Sequence, residues 1–319
     1  MTDQAPQSLA SLDLIGLAKA TSAAAIAAQA FVGRMQKEEA DLACVNALRS
    51  ALQQVDLRAQ VIIGEGEKDE APALYRNEQV GGAKGIASLD MAVDPLEGTT
   101  FCAKGLANSF SVIAFAQRGA MLDPGPAFYM DKIALSAAAA SRITPDLELP
   151  EMLETIAASE GKPLNALNIF ILERPRNQHI IDTVLRMGAR VSLHQGGDIL
   201  AALSLAQNEA SFDALLGIGG APEGYLSAAA LKAVGCGFFG RFSPQSPAEQ
   251  EAVTAFGLDC SRWYSAEELI KGDTAFVATA ITQGQLAQAP FFDGEAWITD
   301  SLLFSHATGA MRLELQINA

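Results

Sequence analysis

Cysteine is scarce and scattered. Cys44, Cys102, Cys236 and Cys260 are the only four in 319 residues, and no two form a Cys-x-x-Cys pair, which excludes a structural zinc and a dense disulfide framework. Such usage fits a reducing cytosol. Histidine is rarer still: His179, His194 and His306 have no metal-ligand spacing, and no serine-hydrolase elbow accompanies them. A Ser-His-Asp mechanism drops out, and the three read as bystanders. No stretch has the long uninterrupted apolar run of a membrane helix, and residues 1–6 contain Asp3 but no basic residue of the kind that opens a secretory leader. The expectation is a cytoplasmic protein with no membrane partner. Positive charge is short as well. Against 37 Asp and Glu there are 22 Lys and Arg, a net charge of -15, whereas a nucleic-acid surface needs clustered cations. A phosphorylated ligand stays open, because divalent cations bridge carboxylates to phosphate.

What the chain does have is apolar residues, 50% of the total. That suffices for a sizeable core in one large domain or two lobes, and two lobes are preferred, 1–150 and 151–319, divided at the proline-containing stretch 144–150. Residues 9–52, rich in Ala, Leu and Gln and interrupted near 33–39, predict two helices, the second starting near 38–41. Short apolar runs at 60–63, 89–93 and 108–116 predict strands, and 132–140 fits either a strand or an Ala-rich helix. From 167 onward strands and helices alternate, predicting a layered α/β second lobe, and 243–251, with two prolines, reads as a surface connection. A further strand is expected at 274–280.

Several of these runs end in chemistry. In Asp94-Pro95-Leu96-Glu97-Gly98-Thr99 two carboxylates follow an apolar strand, Pro95 fixes a torsion, Gly98 permits close approach, and Thr99 offers a hydroxyl and a helix N-cap. That pattern suits a cation in the carboxylates and a phosphate against amides, although alone it is equally a capped acidic turn. Gly64-Glu65-Gly66-Glu67 closes another strand, with Glu65 between two glycines, while Lys68, Asp69 and Glu70 read as a solvated charge run. Gly217 to Gly224 ends a third strand in a glycine-rich turn with one carboxylate, Glu223, and lacks the ending of a nucleotide P-loop. Arg174-Pro175-Arg176 puts two guanidiniums beside a rigid proline, which suits bidentate phosphate recognition. Tyr129, Lys132 and Asp198 carry weaker signals and read equally well as packing or surface residues.

Together, Gly64-Glu65-Gly66-Glu67, Asp94-Pro95-Leu96-Glu97-Gly98-Thr99, Arg174-Pro175-Arg176 and Gly219-Gly220-Ala221-Pro222-Glu223-Gly224 resemble, in order and context, the class II fructose-1,6-bisphosphatase family. The resemblance runs from about residue 21 to about residue 313. It implies an α/β fold, a layered α/β/α/β/α sandwich shared with the lithium-sensitive phosphatases, and dependence on Mg²⁺ or Mn²⁺. By the same resemblance the metal ligands fall on Asp41, Glu65, Asp94, Glu97 and Glu223, with Thr99, Glu65 and Asp94 catalytic. The substrate positions fall on Glu97, Gly98, Thr99, Tyr129, Arg174, Pro175, Arg176, Asp198 and Gly220. A phosphorylated sugar is the implied partner, fructose 1,6-bisphosphate first and sedoheptulose 1,7-bisphosphate or an inositol phosphate as alternatives, and a homo-oligomer is implied too. A weakly active sugar-phosphate-binding regulator is the alternative of another class. This chain departs from the family pattern where Glu38 and Glu39 replace Asn and Thr, where Gly196 replaces the first carboxylate of an Asp-Gly-Asp, and where residues 240–257 form a shorter segment.

Overall fold

The computed structural model describes residues 9–64, 74–84, 88–208 and 210–318. These form two compact units, one from residues 1–121 and 271–319 and the other from residues 122–270.

The first unit begins with α1 (Leu14–Ala28), whose N-terminus is closed by the Asp13 carboxylate accepting from the Gly16 amide. Its small buried residues, Ala18, Ala24, Ala25 and Ala28 among them, let the helix lie close on a sheet. The approach is near enough for the hydroxyls of Thr21 and Thr279, and of Ser22 and Thr299, to bond at 2.6 and 2.8 Å. α2 (Lys37–Leu52) follows, with Glu38 and Glu39 exposed in its first turn, where the helix dipole favours negative charge. Then come β1 (Ala59–Ile63), β2 (Gln79–Val80), β3 (Leu89–Glu97), α3 (Thr99–Lys104) and β4 (Phe110–Gln117). β3, almost wholly buried, runs parallel to β1 and antiparallel to β4.

The second unit is built on β5 (Tyr129–Leu135), α4 (Ala137–Ala140), α5 (Leu149–Ser159), β6 (Asn168–Leu172), α6 (Gln178–Arg186), β7 (Arg190–His194) and α7 (Asp198–Ala206). It continues through β8 (Ala214–Gly220), α8 (Ala221–Ala233), β9 (Gly237–Phe242), α9 (Pro247–Phe256), β10 (Tyr264–Ser265) and α10 (Ala266–Leu269). Its strands make one mixed sheet in the order β10-β9-β5-β8-β6-β7. Leu135, Leu153, Ile156, Ile171 and Val184 pack into a core under α5 and α6. The chain then returns to the first unit with β11 (Ala275–Ala280), β12 (Phe291–Phe292), β13 (Ala296–Ser305) and β14 (Gly309–Asn318). Among the described residues the first sheet runs β12-β13-β11-β4-β3-β1-β2, with β14 against β13.

Both units are mixed sheets carrying helices, the α/β class that the sequence implied. The division differs from the expected 150/151. β5 pairs with both β8 and β9, which ties residues 122–150 to the second sheet, and stretch 144–150 leads from α4 into the first two residues of α5. The ambiguous 132–140 is both things in turn, a strand to Leu135 and then a helix capped by Ser136. Of the expected connection 243–251, residues 243–246 are one, and residues 247–251 begin α9. Pro247 occupies the first turn and the Ser246 hydroxyl accepts from the Glu249 amide, so that proline marks a helix beginning.

Candidate active site

In the first unit the acidic motif sits where β3 ends. The pairing with β4 slips from Asp94 opposite Val112 to Glu97 opposite Phe110, so the ladder opens across Pro95, which has no amide proton to give it. Asp94 is half-buried, and its Oδ1 accepts from the Leu96 amide at 3.0 Å. Glu97 is buried. Gly98, not Thr99, is the N-cap of α3. It holds φ +76°, where a side chain would be strained and a Cβ would sit 3.1 Å from the Phe101 ring. Thr99 is the first helical residue, and its hydroxyl donates to the Leu96 carbonyl at 3.0 Å. The Gly98 carbonyl in turn accepts from Ser109 Oγ at 2.8 Å, which fixes the turn to the start of β4.

α2 is fastened to this turn. Lys37 Nζ donates to Thr100 Oγ1 at 2.8 Å, and the Gly33 and Met35 amides donate to the carbonyls of Cys102 and Ala103. Asp41 stands one helical turn beyond Lys37, on the same face, and is half-buried. Glu65 lies outside the described residues. Among the described residues no three His, Cys, Asp or Glu side chains are grouped closely enough to hold a metal ion.

In the second unit three ionisable side chains are brought together. Lys132, in the middle of β5 and 1% exposed, forms an ion pair with Asp198, the buried first residue of α7. Glu223, in the first turn of α8, lies within electrostatic reach of both. Its Oε2 has lost contact with solvent and has no hydrogen-bond partner. Burial raises the Glu223 pKa above the ordinary carboxylate value, the Asp198 charge raises it further, and Lys132 opposes both. A Cβ on Gly220 would fall 1.8 Å from Glu223 Oε2, so a side chain before α8 would displace the carboxylate from where it sits. An unsatisfied buried carboxylate oxygen is costly, and a hard divalent cation is the partner such oxygen donors suit. Asp41, Asp94 and Glu97 in the first unit are oxygen donors of the same chemistry, the kind a hard divalent cation takes.

Beside these, β8 is pinned by Asn177, whose Oδ1 accepts from the Ile218 amide while Nδ2 donates to the Leu172 and Ile218 carbonyls. Arg176 donates through Nε to the Ile218 carbonyl at 3.1 Å and stacks 4.7 Å over the Tyr129 ring. Tyr129 is itself the cross-strand partner of Gly220. Tyr129, Arg176 and Gly220 are thus gathered in one place. Arg174 is turned elsewhere, donating to the carbonyls of Glu173 and Gln195, and Pro175 starts the short helical turn that separates the two arginines. The sequence reading undervalued Lys132 and passed over Asn177. The signal for Lys132 was there: a lysine followed by Ile133-Ala134-Leu135 inside an apolar strand is almost never buried without a carboxylate partner. His194 stacks on Phe170 and His306 accepts from the Thr274 amide.

Within each unit, carboxylates at strand ends and helix starts, joined in the second unit by the Arg176 guanidinium, are chemistry suited to a phosphate-ester hydrolase. The family model described as bacterial fructose-1,6-bisphosphatase, glpX-encoded, matches residues 12–317, and the chain belongs to that family. It is 36% identical over 312 residues to fructose-1,6-bisphosphatase 1 class 2 of Escherichia coli strain K12, which covers 93% of this chain and 92% of the relative. The class 2 fructose-1,6-bisphosphatase of Shigella flexneri matches to the same extent. An extragenic suppressor from Pyrococcus furiosus superposes with a TM-score of 0.34 at 13% identity, over 63% of this chain and 73% of that one, too slight a likeness to bear on the fold.

Proposed function

We propose that the chain removes the C1 phosphate of fructose 1,6-bisphosphate, giving fructose 6-phosphate and phosphate, with Mg²⁺ or Mn²⁺ and as a homo-oligomer. The observation that carries this is the match over nearly the whole chain to relatives named for that activity, in a protein that keeps Asp94, Glu97 and Glu223. Asp41, Glu65, Asp94 and Glu97 are the proposed cation carboxylates of the first unit and Glu223 that of the second. When bound, divalent cations neutralise phosphate charge and lower the pKa of a coordinated water.

The protein's own groups do the rest. Thr99 commits its hydroxyl proton to Leu96, which leaves its oxygen as an acceptor able to orient the attacking water. Arg176, held by Ile218 and stacked on Tyr129, directs its remaining donors at the distal phosphate, while Asp198, buried against Lys132, acts on the sugar only through that lysine. Arg174 is tied to two carbonyls and contributes less. Arg176→Ala is therefore expected to raise KM for fructose 1,6-bisphosphate by about tenfold or more, and Arg174→Ala by less, since a charge-assisted bond contributes about 1.5–3 kcal/mol. Steady-state kinetics of the two variants check that order.

The reading itself is tested by phosphate release from fructose 1,6-bisphosphate, with sedoheptulose 1,7-bisphosphate and inositol 1-phosphate alongside. Turnover of the first that starts with Mg²⁺ or Mn²⁺ and stops with a chelator is the expected result. No release under either metal, or preference for another substrate, overturns it.

A further inference from the structure

Among the described residues no strand pairs with the outer edge of β14. The strand runs for ten residues in unbroken register with β13, which is its only strand partner among the described residues. The opposite edge, β2, has two residues, and the edges of the second sheet, β10 and β7, have two and five. Chains that avoid edge pairing shorten, bulge, charge or proline-block such strands. β14 has no proline and no bulge, and its only charged residues are Arg312 and Glu314.

Its side chains also run out of cover at that edge. Opposed residues on neighbouring strands share a face, so Met311, Leu313, Leu315 and Ile317 lie on the side of Leu303, Ser301, Thr299 and Trp297. That is the side on which α1 sits, as the Ser22 to Thr299 bond shows. Leu313, Leu315 and Ile317 are nevertheless only half-buried, Met311 is 44% exposed, and Ile15 on α1 is 53% exposed.

We propose that a second copy of this chain covers this edge. β14 pairs antiparallel with the partner's β14 about a twofold axis at Leu313, and the first sheet continues across the dimer. The register follows from the side chains. With Leu313 opposite the partner's Leu313, Arg312 meets the partner's Glu314 on one face, and Met311 meets the partner's Leu315 on the other. Both pairings occur twice by symmetry. An axis at Glu314 or at Arg312 would set like charges against each other, and one at Leu315 would leave Arg312 opposite asparagine and Glu314 opposite glutamine. Arg312 is held in place by Asp300 through Nε and a terminal nitrogen, which fixes its guanidinium on the face where the partner's Glu314 arrives. The apolar rows of the two copies then form one strip between the two α1 helices. None of these residues belongs to the proposed catalytic set, so the pairing stands or falls independently of the activity.

Light scattering on the full chain, with Glu314→Arg and Leu313→Cys, tests it. Wild type is expected to sediment and scatter as a dimer or a multiple of one. Glu314→Arg keeps Asp300 as its cross-strand partner within the chain, so the fold persists, but it sets arginine against arginine across the axis and is expected to raise the dimer dissociation constant at least about tenfold. Leu313→Cys brings two thiols face to face at about 4.5–5.5 Å between Cα atoms, inside disulfide range, and mild oxidation is expected to give a covalent dimer that wild type does not give. A monomer at every concentration overturns the proposal. So does an oligomer that is insensitive to Glu314→Arg and is not cross-linked through Leu313→Cys, which would place the contact, or the partner, elsewhere.

Discussion

Glu97→Ala is expected to lower kcat/KM for fructose 1,6-bisphosphate by about a thousandfold while leaving the first unit folded. Glu97 is the residue at which β3 gives way to the Gly98 turn, and it is the more buried of the two carboxylates in the motif. Its charge is therefore screened little by water, and a buried carboxylate aimed at a cation contributes through electrostatic preorganisation, where loss of one group costs about 10²–10³ in rate. Three bonds hold the turn through other side chains. Ser109 Oγ bonds the Gly98 carbonyl, Thr99 Oγ1 bonds the Leu96 carbonyl, and Lys37 bonds Thr100. Glu97→Gln separates charge from volume: it keeps the shape, and it is expected to lose nearly as much activity as alanine. Circular dichroism and thermal unfolding should show both variants folded. Wild-type turnover in either variant would remove Glu97 from the site.

How far the sequence carried this reading depends on what kind of signal each residue left. The strands leading into the motifs were legible from their apolar runs, although β3 continues through Asp94 to Glu97 and β8 through Gly217 to Gly220, and β7 and α7 fall where alternation of strand and helix placed them. The metal-type carboxylates of the motifs were visible as acids in unusual company, with glycine or proline beside them. Lys132 was undervalued for the opposite reason. Its single charge in an apolar strand announces a carboxylate partner but not which one, since Asp198 and Glu223 are far away in sequence and reach it through α7 and α8. Asn177 left no signal at all, because its work is done on the backbone of β8. The final hairpin was there to be read, in the alternation Arg312-Leu313-Glu314-Leu315-Gln316-Ile317, but β13 has no such period because its middle is buried on both faces. The unit boundary was out of reach, since the contribution of β11 to β14 to the first sheet is a non-local pairing. Glu38 and Glu39 occupy the exposed first turn of α2, where helix polarity favours negative charge.

Lys132→Met is expected to destabilise the second unit by about 3–5 kcal/mol, the usual consequence of removing one partner of a buried ion pair. The lysine is 1% exposed and Asp198 is 5% exposed, so neither charge can turn to water when the other is lost. Glu223 makes the loss worse. Its Oε2 already lacks a partner, and Lys132 is the positive group acting against the raised pKa, so the variant would bury two carboxylates with no cation of the chain's own between them. The double variant Lys132→Met with Asp198→Leu removes the stranded charge as well, and it is expected to recover most of the stability while remaining inactive. That difference separates the cost of an unpaired carboxylate from the cost of a cavity, because a methionine fills nearly the volume of a lysine and the cavity term is small in both. The chain has two tryptophans, Trp263 in the second unit and Trp297 in the first. In a Trp297→Phe background, urea unfolding followed by fluorescence therefore reports the second unit alone. A shift below about 1 kcal/mol for Lys132→Met would mean that the pair is solvated, and that Lys132 is packing, as a reader of the strand alone would have concluded.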